Sequence, residues 1–194
     1  MKRDLCTIFD LSREEALALI ARGLQMKAVW PRGTLLPTLA GKCLGMIFVK
    51  PSTRTRVSFE AAMYRLGGPS IYMSEKETQI ARKESHADTA RVLSRYVDGI
   101  MIRTYAHGAV EELARYASIP VINGLTDHSH PCQVLSDLLT IQEKRHSLDG
   151  LTVAWVGDGN NVATSWIKAA ALLGFTLNLA CPEGYSPEDR KSVV

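Results

Sequence analysis

The side chains best suited to chemistry lie in a short run of hydroxyls and a guanidinium, Ser52-Thr53-Arg54-Thr55. An apolar run over residues 43–49 precedes it, and a helical pattern of apolar residues follows. Where a buried strand turns into a helix, free backbone N–H groups favour an anion, and an arginine adds a bidentate phosphate donor. The run therefore predicts a phosphate-binding turn. A structural alternative stays open, in which Ser52 caps the helix and Arg56 pairs with Glu60 on a solvated face.

Two further polar groups follow predicted strands. Arg103-Thr104 comes after the apolar run 100–102, and His130-Pro131-Cys132-Gln133 comes after the short run 121–122 and a loop. Because ligands of an open parallel sheet bind beyond the carboxyl ends of its strands, we expect all three groups to face one crevice. Together they supply anion donors, a second guanidinium, an imidazole and a carboxamide. Such a set is suited to holding a compact phosphate compound and polarising it.

Taken one at a time, residues of this set could serve different roles. Arg103 could be a solvated charge at the rim, and His130 could cap the helix that Pro131 opens. Cys132, at a helix N-terminus beside a histidine, could have a lowered pKa and act as a nucleophile. The spacing of His128, His130 and Cys132 matches no well-separated zinc pattern, so we expect no metal site.

A glycine-rich turn follows a later predicted strand. Gly157-Asp158-Gly159 begins like a dinucleotide fingerprint, but Val162 occupies the third glycine position, so the G-x-G-x-x-G pattern fails. A weak nucleotide-binding signal remains. The simpler interpretation is a tight turn in which Asn160 and Asn161 cap the next helix.

The elements that must position these residues alternate between strands and helices. Capping boxes at Ser12 and Ser85 open two of the helices, and Pro131 opens another. Apolar runs predict strands at residues 43–49, 70–74, 100–102, 121–122, 151–156 and 175–180. The alternation predicts an α/β fold: an open parallel sheet flanked by helices, followed by the start of a second, Rossmann-like α/β domain. We place the first domain at residues 1–145 and the second at residues 150–194.

Composition narrows the functional classes. The 194 residues carry a net charge of +3 with scattered Lys and Arg, which argues against nucleic-acid binding. No apolar stretch is long enough to span a bilayer, and no signal-peptide core follows Met1. The four cysteines form no C-x-x-C pair, which is typical of free thiols in a reducing cytoplasm. We therefore expect a cytoplasmic protein that acts on small molecules, with no membrane or nucleic-acid partner.

Several motifs, in order along the chain, resemble those of the carbamoyltransferase family. Residues 48–60, with the sequence FVKPSTRTRVSFE, are similar to its carbamoyl-phosphate signature, and His130-Pro131-Cys132-Gln133 is similar to its second signature. Residues 88–96 and 123–127 also match. Gly157-Asp158-Gly159-Asn160-Asn161 resembles the ornithine branch rather than the aspartate branch. The resemblance runs from about Leu5 to the end of the chain.

The resemblance implies transfer of the carbamoyl group of carbamoyl phosphate to the δ-amine of L-ornithine, giving L-citrulline and phosphate in arginine biosynthesis. It implies no metal and no organic cofactor. It implies a homotrimer or a multiple of it, in which Gln79 reaches the phosphate of a neighbouring subunit. The catalytic residues that it implies are Arg54, Arg103 and His130. The substrate-binding residues that it implies are Ser52, Thr53, Arg54, Thr55, Arg56, Gln79, Arg103, His130, Pro131, Cys132, Gln133 and Asn161.

The family pattern also differs from this sequence in two places. Val49 stands where the family often has an acid. The ornithine-side Asp, the Ser-Met-Gly loop and the late His-Cys-Leu-Pro signature have no counterpart here. We therefore expect a fragment that binds carbamoyl phosphate and makes little citrulline. Three alternatives stay open: a carbamoyltransferase for another amine, a non-catalytic phosphate-binding domain, and a thiol enzyme that uses Cys132.

Overall fold

Strands and helices alternate along the chain. The computed structural model describes residues 2–30, 36–75, 78 and 84–187. The elements in chain order are a short 3-10 helix (Ile8–Asp10), α1 (Arg13–Val29), β1 (Leu44–Phe48), α2 (Thr53–Arg65), β2 (Ser70–Ser74), α3 (His86–Leu93), β3 (Gly99–Arg103), α4 (His107–Tyr116), β4 (Val121–Leu125), α5 (Pro131–Arg145), β5 (Thr152–Val156), α6 (Asn161–Leu173) and β6 (Thr176–Ala180). The strands form two parallel sheets, a first sheet in the order β2-β1-β3-β4 and a second sheet of β5 and β6. The predicted fold class is confirmed.

The first sheet reverses its winding between β1 and β3. The chain passes from β1 to the edge strand β2, returns to β3 on the other side of β1, and then continues to β4. In open α/β sheets such a reversal leaves a crevice at the carboxyl ends of the two strands involved. The residues that follow β1, and Arg103 at the end of β3, therefore flank this crevice, as we expected from the sequence.

Helices bury the first sheet on both faces. All five residues of β1 are buried. Met46 and Phe48 pack on one side with Met63 of α2. Ile47 packs on the other side in a core that includes Leu113 of α4. Burial on both faces is the reason why this strand is continuously apolar rather than alternating.

The second sheet packs on one face only. Its strands alternate between half-buried and exposed residues, and Val156 is 82% exposed. The half-buried face lies on a core in which Trp166 of α6 meets Phe175 edge to face, with ring centroids 5.9 Å apart. Ile20 of α1 and Leu138 of α5 belong to the same core, so these two helices join the second sheet to the rest of the fold.

The predicted strands are confirmed within one residue at each end, with one exception. We expected β4 to end before Asn123 and Gly124, which are typical turn residues, but it continues to Leu125. Asn123 is fully buried, and its Nδ2 atom donates to the backbone oxygens of Cys6 at 2.8 Å and Ser129 at 3.2 Å. These tertiary hydrogen bonds satisfy a polar side chain inside the strand, which local sequence preference could not anticipate.

Helix ends follow the predicted capping signals. The Ser12 hydroxyl accepts the Glu15 N–H, and the Glu15 carboxylate accepts the Ser12 N–H at 2.8 Å. Asn160 caps α6 by accepting the Val162 N–H at 2.9 Å, and Gly174 ends it with a φ of 75°. Helix α5 begins at Pro131, as predicted. None of the helices in the described part of the chain is both long and apolar enough to cross a membrane.

Candidate active site at the carboxyl edge of the first sheet

The phosphate-binding turn predicted from the sequence lies at the N-terminus of α2. Ser52 occupies the N-cap position, and its Oγ atom accepts the Thr55 N–H at 3.2 Å. The Ser52 hydroxyl also donates to Thr55 Oγ1 at 3.1 Å, so the two hydroxyls lie side by side. The first N–H groups of a helix have no partner within it, and the helix dipole is positive there. Thr53 and Arg54 are exposed in the same turn, which therefore presents amide, hydroxyl and guanidinium donors.

Arg103, at the end of β3, reaches the same turn. Its Nη1 atom donates to Thr55 Oγ1 at 3.2 Å. Its Nε atom is buried and has no hydrogen-bond partner among the described residues. Burial lowers the pKa of Arg103, and the charge of Arg54 lowers it further. The two guanidiniums repel each other, and the Nε atom of Arg103 is a buried donor without an acceptor among the described residues. An anion bound between them would relieve both costs.

His130 stands at the N-cap position of α5, within electrostatic reach of Arg103. Its ring makes no capping hydrogen bond, so the capping role that the sequence left open is wrong. Its backbone N–H donates to Ser165 Oγ at 2.8 Å. Burial, together with the charge of Arg103, lowers the pKa of His130 to about 4, and the ring Nδ1 atom is buried without a partner in the described residues. The imidazole is therefore neutral near pH 7 and can offer an N–H to a ligand oxygen.

Cys132 is not an activated nucleophile. Its thiol donates to the backbone oxygen of Asn123 at 3.5 Å. The sequence left open a lowered pKa at this helix N-terminus, but burial raises the pKa of the Cys132 thiol to about 11. Desolvation of the thiolate outweighs the helix dipole here. The thiol stays protonated at neutral pH, which removes the physical basis of the thiol-enzyme alternative.

Arg56 takes the structural role that the sequence left open for it. Its Nε atom donates to Glu60 at 3.0 Å, which confirms the predicted i,i+4 pair. Its guanidinium also stacks over the Tyr72 ring, 3.8 Å from the ring centroid. These contacts hold Arg56 on the side of α2, so contact with a ligand would require it to leave them. Its assignment to the substrate site stays a prediction.

The other candidates of this edge have varied surroundings. Pro131 is the buried first residue of α5, and Gln133 is exposed with its Nε2 atom donating to Asp137 at 2.8 Å. Gln79, expected to serve a neighbouring subunit, lies outside the described residues. In the described ranges, no group of three or more His, Cys, Asp or Glu side chains could hold a metal ion.

A second crevice lies at the N-terminus of α6. It is a cleft of about 240 Å³ whose lining includes Asp127, Asp158, Asn160 and Asn161. The Asn161 side chain, expected to touch the acceptor amino acid, donates to the backbone oxygen of Thr126 at 2.6 Å. Carboxylates and carboxamides are suited to a cationic amine rather than to a phosphate.

Several residues that shape the site were missed in the sequence. Lys50 pairs with Asp127 at 3.0 Å and lies 4.8 Å from the Tyr105 ring centroid, so it bridges the ends of β1 and β4. Ser165 holds the backbone of His130. The available signal for Ser165 was its position four residues after Asn161, on one face of a largely apolar helix.

Comparison with known proteins shows which family this chain resembles. The family model described as "Aspartate/ornithine carbamoyltransferase, carbamoyl-P binding domain" matches residues 3–143. The model described as "Aspartate/ornithine carbamoyltransferase, Asp/Orn binding domain" matches residues 149–193.

Individual relatives agree with these matches. The chain is 55% identical over 188 residues to an ornithine carbamoyltransferase of Desulfotalea psychrophila, and 50% identical over 186 residues to an anabolic ornithine carbamoyltransferase of Pseudomonas aeruginosa. These matches cover 97% and 96% of this chain, but the chain spans only 62% and 61% of those two proteins. The solved structure of ornithine carbamoyltransferase from Pyrococcus furiosus superimposes with a TM-score of 0.93 at 52% identity, covering 98% of this chain and 60% of that one.

Proposed function

We infer the function from one premise: this chain belongs to the aspartate/ornithine carbamoyltransferase family. We propose that the carboxyl edge of the first sheet binds carbamoyl phosphate. We further propose that its carbamoyl group passes to the δ-amine of L-ornithine, giving L-citrulline and phosphate. The observation that carries the proposal is the pair of buried ring and guanidinium nitrogens, His130 Nδ1 and Arg103 Nε, which lack partners among the described residues beside an anion-binding turn.

The phosphate group is assigned to the turn at the start of α2. Ser52, Thr53, Arg54 and Thr55 supply the hydroxyls, the guanidinium and the N–H groups of the first helical turn. Hydrogen bonds to a phosphate from charged donors and from a helix N-terminus are stronger than those between neutral groups. The turn would hold the leaving group both before and after transfer.

The carbonyl oxygen is assigned to Thr55, Arg103 and His130. When the neutral amine of ornithine attacks the carbamoyl carbon, the carbonyl oxygen gains negative charge, and fixed donors aimed at it stabilise the transition state. A neutral His130 can donate one hydrogen bond without adding charge repulsion to the two arginines. Gln133, next to these residues on α5, would accept from the carbamoyl amide through its Oε1 atom.

The bonds balance without a redox step. The new C–N bond forms, the C–O bond to phosphate breaks, phosphate leaves with the bonding pair, and the proton lost by the amine passes to the departing phosphate. Because no atom changes oxidation state, we propose a reaction without a redox cofactor. Holding the two substrates together supplies much of the remaining rate enhancement.

The acceptor amino acid is assigned to the cleft at α6. Asn161 and the carboxylates of Asp127 and Asp158 border it, which suits a molecule that carries amino groups. We propose residues 1–145 as the carbamoyl-phosphate domain and residues 150–194 as the beginning of the ornithine domain. Another amine acceptor is the alternative, and a panel of ornithine, lysine, putrescine and aspartate distinguishes them.

The proposal extends to assembly and cellular role. We propose a cytoplasmic homotrimer, or a multiple of it, that serves arginine biosynthesis, with Gln79 of each subunit completing a neighbouring phosphate site. Mixing inactive Arg54→Ala and Gln79→Ala subunits should then restore some citrulline formation. Absence of any complementation, with subunit exchange verified, would argue that each site is built from one chain.

The direct test combines calorimetry with a colorimetric citrulline assay on the 194-residue chain. We expect carbamoyl phosphate to bind in competition with inorganic phosphate. From the 194-residue chain alone we expect little citrulline. In a form that carries a complete acceptor domain, Arg103→Ala and His130→Gln should lower kcat by about a hundredfold with a smaller change in KM, because each variant loses a donor to the developing oxyanion. Arg115→Ala, which removes an exposed arginine at the end of α4, is the control. Binding of phosphate without binding of carbamoyl phosphate would favour the non-catalytic alternative.

A further inference from the structure

Three polar residues form a single stripe on α6, a helix that is otherwise largely apolar. Asn161, Ser165 and Lys168 stand at positions i, i+4 and i+7, which lie on one face of a helix. This face lies against residues 126–130, the segment that follows β4 and carries His130, here named the His130 loop. A polar stripe on a buried helix face needs partners, because an unpaired buried polar group is costly.

Each residue of the stripe contacts the His130 loop. Asn161 Nδ2 donates to the Thr126 backbone oxygen at 2.6 Å. Lys168 Nζ lies 2.9 Å from His128 Nε2. The third contact is made to His130 itself, whose backbone N–H donates to Ser165 Oγ at 2.8 Å. Helix α6, which connects the two strands of the second sheet, therefore holds the His130 loop, which follows a strand of the first sheet.

The Ser165 hydroxyl makes two hydrogen bonds away from water. Ser165 is 0% exposed. It donates to the Asn161 backbone oxygen at 2.7 Å, which sets the rotamer of the hydroxyl, and in this orientation it accepts the His130 N–H. A methyl group at this position would leave the buried His130 N–H without its acceptor.

The rest of the loop is held from inside the first sheet. The Thr126 N–H donates to the Ser129 backbone oxygen at 2.9 Å, and the Ser129 N–H donates to Thr126 Oγ1 at 3.0 Å, which closes a tight turn. The buried Asn123 side chain donates to the same Ser129 oxygen at 3.2 Å. These contacts end at Ser129, whereas the N–H of the next residue, His130, is held by Ser165 of the second sheet's helix.

We propose that Ser165 is a positioning residue for His130, through which the helix of the second sheet sets the orientation of the imidazole at the carbonyl end of the carbamoyl-phosphate site. The identity of the ligand rests on the proposed function, whereas the positioning of the ring does not. Displacement of a donor by about 1 Å is enough to weaken its contact with a ligand strongly. Ser165 would act without touching substrate.

The chain offers a closely matched control. Ser94, after α3, also donates to the backbone oxygen four residues earlier, Ala90, at 2.7 Å, and also accepts a backbone N–H from another segment, that of Ser118 at 3.0 Å. Both serines therefore make the same pair of hydrogen bonds, but Ser94 is not part of the site. Ser94→Ala measures what the loss of such a pair does to the fold alone.

The first readout is the ring of His130 in an NMR titration of ¹⁵N-histidine-labelled protein. The chain has five histidines, and His130→Gln identifies the signal. We expect a midpoint near the pKa of about 4 in the unchanged chain and in Ser94→Ala. In Ser165→Ala the midpoint should move toward the ordinary value of 6.5, because a released loop admits water to the ring.

The second readout is the affinity for carbamoyl phosphate relative to that for inorganic phosphate, measured by calorimetry. Under the proposed function, phosphate contacts the turn of α2, whereas only carbamoyl phosphate also contacts His130. Ser165→Ala should lower this ratio by about fivefold, the size of one weakened hydrogen bond, and Ser94→Ala should leave it unchanged.

The outcomes separate the two proposals. An unchanged His130 midpoint in Ser165→Ala overturns the positioning role, and so does an equal loss of affinity for both ligands. If the unchanged chain binds phosphate but not carbamoyl phosphate, the proposed function fails while the titration still decides the role of Ser165. If Ser165→Ala does not fold, Ser165→Cys retains the volume with a poor acceptor and should show the same raised midpoint.

Discussion

The carboxyl edges of the two sheets differ in charge, and the sheets themselves differ in burial. The edge of the first sheet gathers Arg54 and Arg103 with a neutral His130 around hydroxyls. The cleft at the second sheet is bordered by Asp127 and Asp158 together with carboxamides. The same architectural feature, a strand that ends at a helix N-terminus, thus carries opposite chemistry in the two places. Under the proposed function, side chains rather than the fold select an anion at one edge and an amine at the other.

The two sheets differ in burial as clearly as their edges differ in charge. β1 is buried throughout, whereas β5 alternates between exposed and half-buried residues. At the first edge, Arg103 and His130 carry buried nitrogens, and hydrogen bonds from buried groups to a ligand are stronger. We expect perturbation of the first edge to have the larger effects on ligand binding and on stability.

The largest expected effect is on anion binding at the first edge. Arg54→Ala should weaken carbamoyl-phosphate binding by about 2–4 kcal/mol, because it removes a charge-assisted contact from the helix N-terminus. Arg65→Ala removes an arginine from the other end of α2, where it stacks on Trp30, and is the control. Calorimetry checks both variants. Unchanged affinity in a folded Arg54→Ala variant would break the assignment of this edge to an anion.

The next effect is the pH dependence that His130 imposes on stability. Its pKa is about 4 in the fold, against 6.5 for an ordinary histidine. Between these values the unfolded chain binds more protons, so stability is fully present above about pH 6.5 and is lost as the pH falls toward 4. The loss is up to about 3 kcal/mol.

Urea unfolding at several pH values measures this loss. The free energy of unfolding of His130→Gln should depend less on pH over this window than that of the unchanged chain. If the free energy of unfolding depends on pH equally in the two proteins, His130 is not desolvated in the fold. The two edges would then not differ in the burial of this histidine.

Substituting one valine in each sheet compares how much side-chain burial contributes to the stability of the two sheets. Val121 in β4 is 0% exposed and Val156 in β5 is 82% exposed. Val121→Ala should lower the free energy of unfolding by about 2 kcal/mol, from lost burial and the cavity left behind. Val156→Ala should change it by less than about 0.5 kcal/mol. Equal costs in urea denaturation would mean that the outer face of the second sheet is covered in solution.

The smallest expected effect is at the second edge. Asp158 is exposed, so Asp158→Asn should weaken ornithine binding by about 1 kcal/mol or less and leave phosphate binding unchanged. Asp149→Asn, in the exposed loop before β5, is the control for charge. A loss of phosphate affinity in Asp158→Asn would contradict the separation of the two edges.

Local signals in the sequence were sufficient for most of the fold. The apolar run of β1, the capping box at Ser12 and the glycine that ends α6 depend on residues within a few positions of one another. Local hydrogen bonds and periodic burial decide such features, and both are visible in a single stretch of chain. The turn to which we assign the anion is local in the same sense, since Ser52 and Thr55 lie within one helical turn.

The features that the sequence misjudged depend on distant contacts. β4 continues past Asn123 because Cys6 and Ser129 satisfy its side chain. The capping role considered for His130 failed because its ring lies under the influence of Arg103 and makes no hydrogen bond to the first turn of α5. The Asn123 side chain found its partners elsewhere in the fold, whereas the His130 ring nitrogen Nδ1 has none among the described residues.

The sequence by itself therefore determined the strands and helices, the hydroxyl-bearing turn at the start of α2 and the family, because each rests on short-range order or on motifs written along the chain. Only the tertiary structure decided the state of the side chains at the site. Burial raises the pKa of Cys132 and lowers that of His130, and desolvation depends on every element packed around a group. The hydrogen bond between Ser165 and His130 spans 35 positions, and only the packing of α6 against the His130 loop brings those two residues together.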